Sequence, residues 1–320
     1  MSWLSYCYKT YQNSVSEIGK QQPGKVPLLP VAHTTQQVNI EVELDKDGNF
    51  QYAGLLAQDQ RTTIIPCTEE SSARTSGMVP HPLVDKLQYI AADYPTFGGS
   101  KESGWPLYHK QLQAWCTSPY AHPAVCTVLH YLEKECLIAD LVKANILFID
   151  ENGTLPTKWQ GNKEDKPPIL DTLTGSDQTE SFVRFRVDNV DLSRDTTVRE
   201  SFIRFYETQL KDIDYCTVQG IKMPISTLSP YKIRNPGDRA KLISSNDNTN
   251  YTYRGRFADA AQALSIGYET TQKAHSALRW LVSKQGVIQG TRLYLFGEHR
   301  TKQYPMCWGI LSILPRNIIH

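Results

Sequence analysis

At 320 residues, with 40% hydrophobic and 21% charged residues, the chain has the make-up of a globular protein with a real core and room for roughly two domains. Its formal net charge of +1 excludes a wholesale polyelectrolyte binder but leaves room for a local basic patch. No apolar run approaches the ~20 residues of a membrane helix. The start, "MSWLSYCYKTYQNSV", lacks the basic-then-apolar order of a secretory signal. Seven cysteines form no Cys-x-x-Cys pair, which argues against a zinc site and a disulfide framework and for a reducing, cytoplasmic setting.

In chain order, "TTQQVNIEVELDKDGNFQYAGLL" puts Val38, Ile40, Val42 and Leu44 on one face with period two. The turn "DKDGNF" and a second strand from Phe50 to Leu56 complete a hairpin. "HPLVDKLQYIAADY" predicts a short helix entered through Pro82, and "WPLYHKQLQAWCTSPY" a second helix. "HPAVCTVLHYLEKECLIADLVKANIL" predicts one long amphipathic helix with Pro123 near its start. "ILFIDENGTL" is a strand and a turn, and the Gly-, Pro- and charge-rich run to Glu180 is an exposed connector.

"SFVRFRVDNV" predicts a strand with Val183, Phe185 and Val187 inward, while Arg184 and Arg186 look out. "TVRESFIRFYETQLKD" is helical. "DAAQALSIGYETTQKAHSALRWLVSKQG" is a long helix with Ala263, Ile266, Thr270, Ala274, Ala277, Leu278 and Leu281 as its buried stripe. Gly286 is its left-handed end residue, and His275 and Arg279 hold local structure. The fold class is therefore α+β: a mixed or antiparallel sheet with flanking helices, then a second, basic α+β portion. The expected divisions are 1–160, a connector over 161–180, a basic domain over 181–295 and an atypical tail over 296–320.

Catalytic patterns are sparse. "FGGSKESG" lacks the spacing of a phosphate-cradling loop and reads as a solvated turn. His122 and His130, eight residues apart, do not make a one-turn metal pair, and no nucleophile elbow or nuclease-like acidic cluster stands out. The expectation is a non-enzyme without cofactor or metal.

Charge concentrates in "KIRNPGDRAKLISSNDNTNYTYRGRF", with six Lys or Arg against two Asp. Lys232, Arg234, Arg239, Lys241, Arg254 and Arg256 are cations suited to phosphates, and turn formers at 235–238 and 245–250 would let them converge. Tyr251 and Tyr253 alternate with arginines, where rings stack on bases. A solvated basic hairpin with its tyrosines on the core accounts for the same residues.

Five stretches together resemble a known family: "LLPVAHTTQQVNIEVELDKDGNF", "IPCTEESSARTSGMVPHPLVDKLQYIAADY", "FVRFRV", the basic stretch above and "IGYETTQKAHSALRWLVSKQG". In order, and up to about Leu295, they resemble the large subunit of the type I-C (Dvulg subtype) CRISPR interference complex. The resemblance implies a non-catalytic subunit of a crRNA-guided surveillance complex that contacts target duplex DNA at the protospacer-adjacent motif (PAM) and helps open it. Its implied partners are crRNA, duplex DNA, the other effector subunits and a recruited helicase–nuclease, with no membrane. Such subunits continue further, so the tail from Phe296, with Cys307 and Trp308, resembles a truncated or frame-shifted end.

Within that resemblance a second region competes for DNA. In "ARTSGMVPHPLVDK", Arg74, Thr75, Ser76, His81 and Lys86 crowd a loop entering a helix, with hydroxyls for phosphate and His81 or Lys86 for base edges. An ordinary capped helix entry is the competing account. Alternatives for the whole chain are an RNA-binding module holding the guide RNA 5′ end and a phosphodiester-cleaving enzyme.

Overall fold

The computed structural model describes residues 2–22, 24–74, 77–157, 159, 161–162, 164, 166–173, 175, 177–235, 237–243, 257, 260–290, 292–295, 298–299 and 306–307. The chain divides into two units, one of residues 1–31 with 210–320 and one of residues 32–209. The first unit begins with α1 (Trp3–Asn13), capped by the Ser2 hydroxyl on the Ser5 amide.

The second unit is contiguous. β1 (His33–Gln37), β2 (Ile40–Leu44), β3 (Phe50–Leu55) and β4 (Thr62–Pro66) open it, with β1 and β4 antiparallel. The predicted hairpin is β2–β3. Its turn is held by the Asp45 carboxylate, which accepts the Asp47 and Asn49 amides at 2.9 and 2.8 Å. α2 (Glu69–Ser72) follows with a reciprocal Thr68–Ser71 capping box, then β5 (Asp85–Lys86) and the single turn α3 (Leu87–Ile90), shorter than the helix expected beyond Pro82. α4 (Trp105–Cys116), α5 (Pro123–Leu132), α6 (Leu137–Lys143) and α7 (Ile169–Thr172) lead to β6 (Phe182–Val187), β7 (Val190–Asp191) and α8 (Thr196–Glu207).

β6 lies parallel to β2 inside a mixed sheet ordered β3-β2-β6-β5, with β7 on β6. The division expected over 161–180 therefore runs through one sheet. The register pairs Ile40 with Val183, Val42 with Phe185 and Leu44 with Val187 on the buried face, and Glu41 with Arg184 and Glu43 with Arg186 on the other. Arg184 does not look out as expected, whereas Arg186 is partly exposed on that face. Arg184 is 5% exposed. Its Nε donates to Glu41 Oε2 at 2.7 Å and its Nη1 to Thr63 Oγ1 at 3.3 Å, while Arg186 Nε donates to Glu43 Oε2 at 2.7 Å. A charge at 5% exposure needs such partners, since removing it from water alone costs several kcal/mol.

The long helix expected from Pro123 is broken. Glu135 adopts a left-handed φ of 55°, and the Asp93 carboxylate accepts the Ala139 amide at 3.0 Å where α6 begins. The strand expected near Phe148 does not form, because the Gln178 side chain takes both backbone groups of Phe148, accepting its N–H at 3.0 Å and donating to its C=O at 3.1 Å. That contact also pins the expected connector, whose Ile169, Leu170 and Gln178 are buried.

The first unit resumes with the antiparallel pair β8 (Ile213–Tyr215) and β9 (Lys222–Pro224). The expected long C-terminal helix is two, α9 (Ala260–Ala263) and α10 (Tyr268–Gln285), parted at Gly267. α1 packs on α10 through Leu4, Cys7 and Tyr11 against Ala274, Ala277, Leu278 and Val282. Gly286 is not left-handed. At φ −68° and ψ 133° it turns α10 into β10 (Val287–Gln289), which pairs with β11 (Arg292–Tyr294). β12 (Glu298–His299) pairs with β13 (Met306–Cys307) within the expected tail.

Candidate nucleic-acid interface

Two sets of cations are described, one in each unit. In the second unit the loop between α2 and α3 is organised by one carboxylate. Asp85, 0% exposed, accepts Arg74 Nη1 at 2.8 Å and Nη2 at 3.0 Å, the His81 amide at 2.7 Å and the Lys86 amide at 2.8 Å. Arg74 also donates to the Val79 carbonyl at 2.9 Å, and its guanidinium lies 4.5 Å over the Tyr89 ring. Burial works against the Arg74 charge, but the Asp85 hydrogen bonds and charge outweigh it and hold the group more firmly protonated than usual.

His81 does not present its ring to solvent as expected. It is 2% exposed, with Nδ1 3.0 Å from the Ser71 hydroxyl and Nε2 3.2 Å from Gln36 Nε2. Asp85 fixes this turn by accepting both the His81 amide and the Lys86 amide beyond it, and the ring is held inward by Ser71 and Gln36. Thr75 and Ser76 lie outside the described residues.

Lys86 is the loop cation that reaches the surface, its side chain 27% exposed and its ammonium paired with Glu180 Oε2. Sequence reasoning missed its neighbour Lys101, from the "FGGSKESG" turn, which donates to Glu180 Oε1 at 2.5 Å and to Asp177 Oδ2 at 3.4 Å. The glycines there make room for neighbouring side chains. A Cβ on Gly99 would sit 2.3 Å from Tyr94 Cε1, and the Lys101 amide donates to the Tyr94 hydroxyl at 3.2 Å. No pattern in the sequence joins Lys101 to a carboxylate 79 positions away. Hydrogen bonding to Glu180 raises the Lys101 ammonium above its ordinary range. Burial pushes Glu180 up, but the two lysines outweigh it and hold the carboxyl below its usual range.

In the first unit Arg234 is committed locally. Its Nε and Nη2 each donate to Asp238 at 2.9 Å, and Asp238 also accepts the Ala240 amide at 3.0 Å. The Arg234 hydrogen bond holds the Asp238 carboxyl below its usual range. Lys232, half-buried at a left-handed φ of 64°, lies 5.3 Å over the Tyr231 ring. Arg239 and Lys241 are exposed and make no ion pair among the described residues. Tyr251, Tyr253, Arg254 and Arg256 lie outside the described residues. Among the described residues no group of three or more His, Cys, Asp or Glu is arranged to hold a metal, and no helix is long and apolar enough to cross a membrane.

The fold and the two cation sets define an α+β protein with basic groups gathered on defined loops. The chain belongs to the family described as CRISPR-associated protein (Cas_Csd1), whose profile matches residues 7–307. The match runs past Leu295, where the motifs were expected to give out. A search of curated proteins found no match.

Proposed function

We propose that the chain is a non-catalytic large subunit of a crRNA-guided CRISPR surveillance complex and contacts target duplex DNA at the PAM. The family match over residues 7–307 carries this reading. Lys86, Lys101, Arg239 and Lys241 support it as surface cations on loops, the arrangement phosphate contact requires. Arg74 and His81 set the loop backbone, and Lys86 is the loop's candidate for a base edge or a phosphate.

Competition binding in the assembled complex separates those two roles for Lys86. Loss of a base contact narrows the gap between cognate-PAM and scrambled duplexes by about 1–3 kcal/mol, whereas loss of a phosphate contact weakens both alike. Lys86→Ala is expected to do one or the other. A variant that stays folded and binds both duplexes as before removes the loop from the interface.

A further inference from the structure

We propose that Lys86 and Lys101 form a seat for one DNA phosphodiester, and that Glu180, with Asp177, occupies this seat in the free protein as an intramolecular stand-in. The inference rests on the reading of the chain as a duplex-binding subunit and names one site and its regulation.

Glu180 differs from the other acids of the cluster. Asp85 is fully buried and gripped by two backbone amides, so it is part of the framework. The Glu180 side chain is 33% exposed, and the hydrogen bonds it accepts come from the two ammonium groups, one on each carboxylate oxygen. Two cations on the two oxygens of one anion is also how two lysines meet the non-bridging oxygens of a phosphodiester. Asp177 holds Lys101 from the side at 3.4 Å while its other oxygen accepts the Thr179 amide at 3.0 Å, so it stays in place when Glu180 moves.

The lysines come from separately fixed pieces of backbone. The Lys86 amide is bound to Asp85, and the Lys101 amide to the Tyr94 hydroxyl. The seat is thus formed before any ligand arrives, and little ordering is needed on binding. Ion pairs this exposed contribute little net stability, so Glu180 is displaced by a duplex phosphate whose binding also releases counterions. In the free state the carboxylates balance a surface that would otherwise take up any polyanion. A ligand anchored elsewhere, such as a duplex held by further contacts, displaces Glu180 at a far lower concentration than a free phosphate does.

The test is anisotropy titration of a short labelled DNA duplex with the full chain, across a salt series, for wild type, Glu180→Gln, Lys86→Ala/Lys101→Ala and the triple variant. Glu180→Gln keeps size but removes the charge and turns one of the two acceptor oxygens into an NH2 donor, which releases one lysine outright, and thermal melting checks that each variant folds. Release of the lysines is expected to tighten duplex binding about 3- to 10-fold at low salt and to steepen the log–log salt slope by about 1. The gain is expected to vanish in the triple variant. Amine-labelling of the wild type adds a readout that does not depend on variants, with Lys86 and Lys101 protected by duplex. Unchanged or weakened binding by Glu180→Gln, a gain that survives loss of both lysines, or a gain for single-stranded RNA alone overturns the seat. Where the wild type binds duplex under such a result, the wider reading stands through other cations. No duplex binding by wild type or Glu180→Gln overturns both.

Discussion

Asp85 and His275 show how single buried groups set what the two units can tolerate. Asp85 neutralises Arg74, whose side chain is 13% exposed. Asp85→Ala leaves that guanidinium uncompensated and frees two amides, and is expected to lower unfolding free energy by about 3 kcal/mol in urea titration. A loss under about 1 kcal/mol would show that the loop does not depend on the pair. His275 is 1% exposed, edge-on to the Trp3 ring at 5.5 Å, with Nδ1 2.8 Å from the Thr271 carbonyl and Nε2 without a hydrogen-bond partner among the described residues. Burial, reinforced by the Arg279 charge, lowers its pKa from 6.5 to about 4. The folded state therefore binds fewer protons than the unfolded chain between those values, and stability falls as pH drops from 6.5 towards 4. The full effect is on the order of 3 kcal/mol. His275→Asn is expected to remove that share of the slope between pH 7 and 4.5 in urea unfolding, whereas parallel profiles would place the titration on other groups.

Among the elements, the β2–β3 hairpin was legible because period-two burial and an Asp45-centred turn are local, and Val38, Ile40, Val42 and Leu44 are all fully buried. The failures are long-range. Phe148 loses its strand to the Gln178 side chain, and the break between α5 and α6 depends on Asp93, neither of which any window around those residues contains. Arg184 and Arg186 alternate as a solvent face would. Only the parallel register with β2 reveals Glu41 and Glu43 beside them. At the site, local charge identified Lys86 but could not show that His81 is turned inward or that Lys101 joins it. Gly286 was singled out for the wrong reason. Its φ of −68° suits any residue, but a Cβ there would lie 2.5 Å from the Val282 carbonyl oxygen and 3.0 Å from Leu293 Cδ1. Gly286→Ala is expected to cost about 1–3 kcal/mol by forcing β10 away from the end of α10, read as a drop in thermal midpoint. A neutral result would mean that this junction yields freely.

Across the whole molecule, a unit that joins residues 1–31 to 210–320 brackets a contiguous one, so both chain segments of the first unit are needed to build the α1–α10 core. A net charge of +1 gives no long-range pull on nucleic acid. Any duplex affinity must come from local cation sets, which gives it a characteristic salt dependence. The most direct measurement is duplex affinity of the full chain from low to physiological salt. The account predicts measurable binding at low salt with a log–log slope of at least about −2, near −0.9 for each phosphate met by Lys86, Lys101, Arg239 and Lys241. Charge reversal of Arg239 with Lys241 is expected to flatten the slope by up to ~2 while weakening all duplexes alike. No binding at low salt, or binding indifferent to salt, would contradict it.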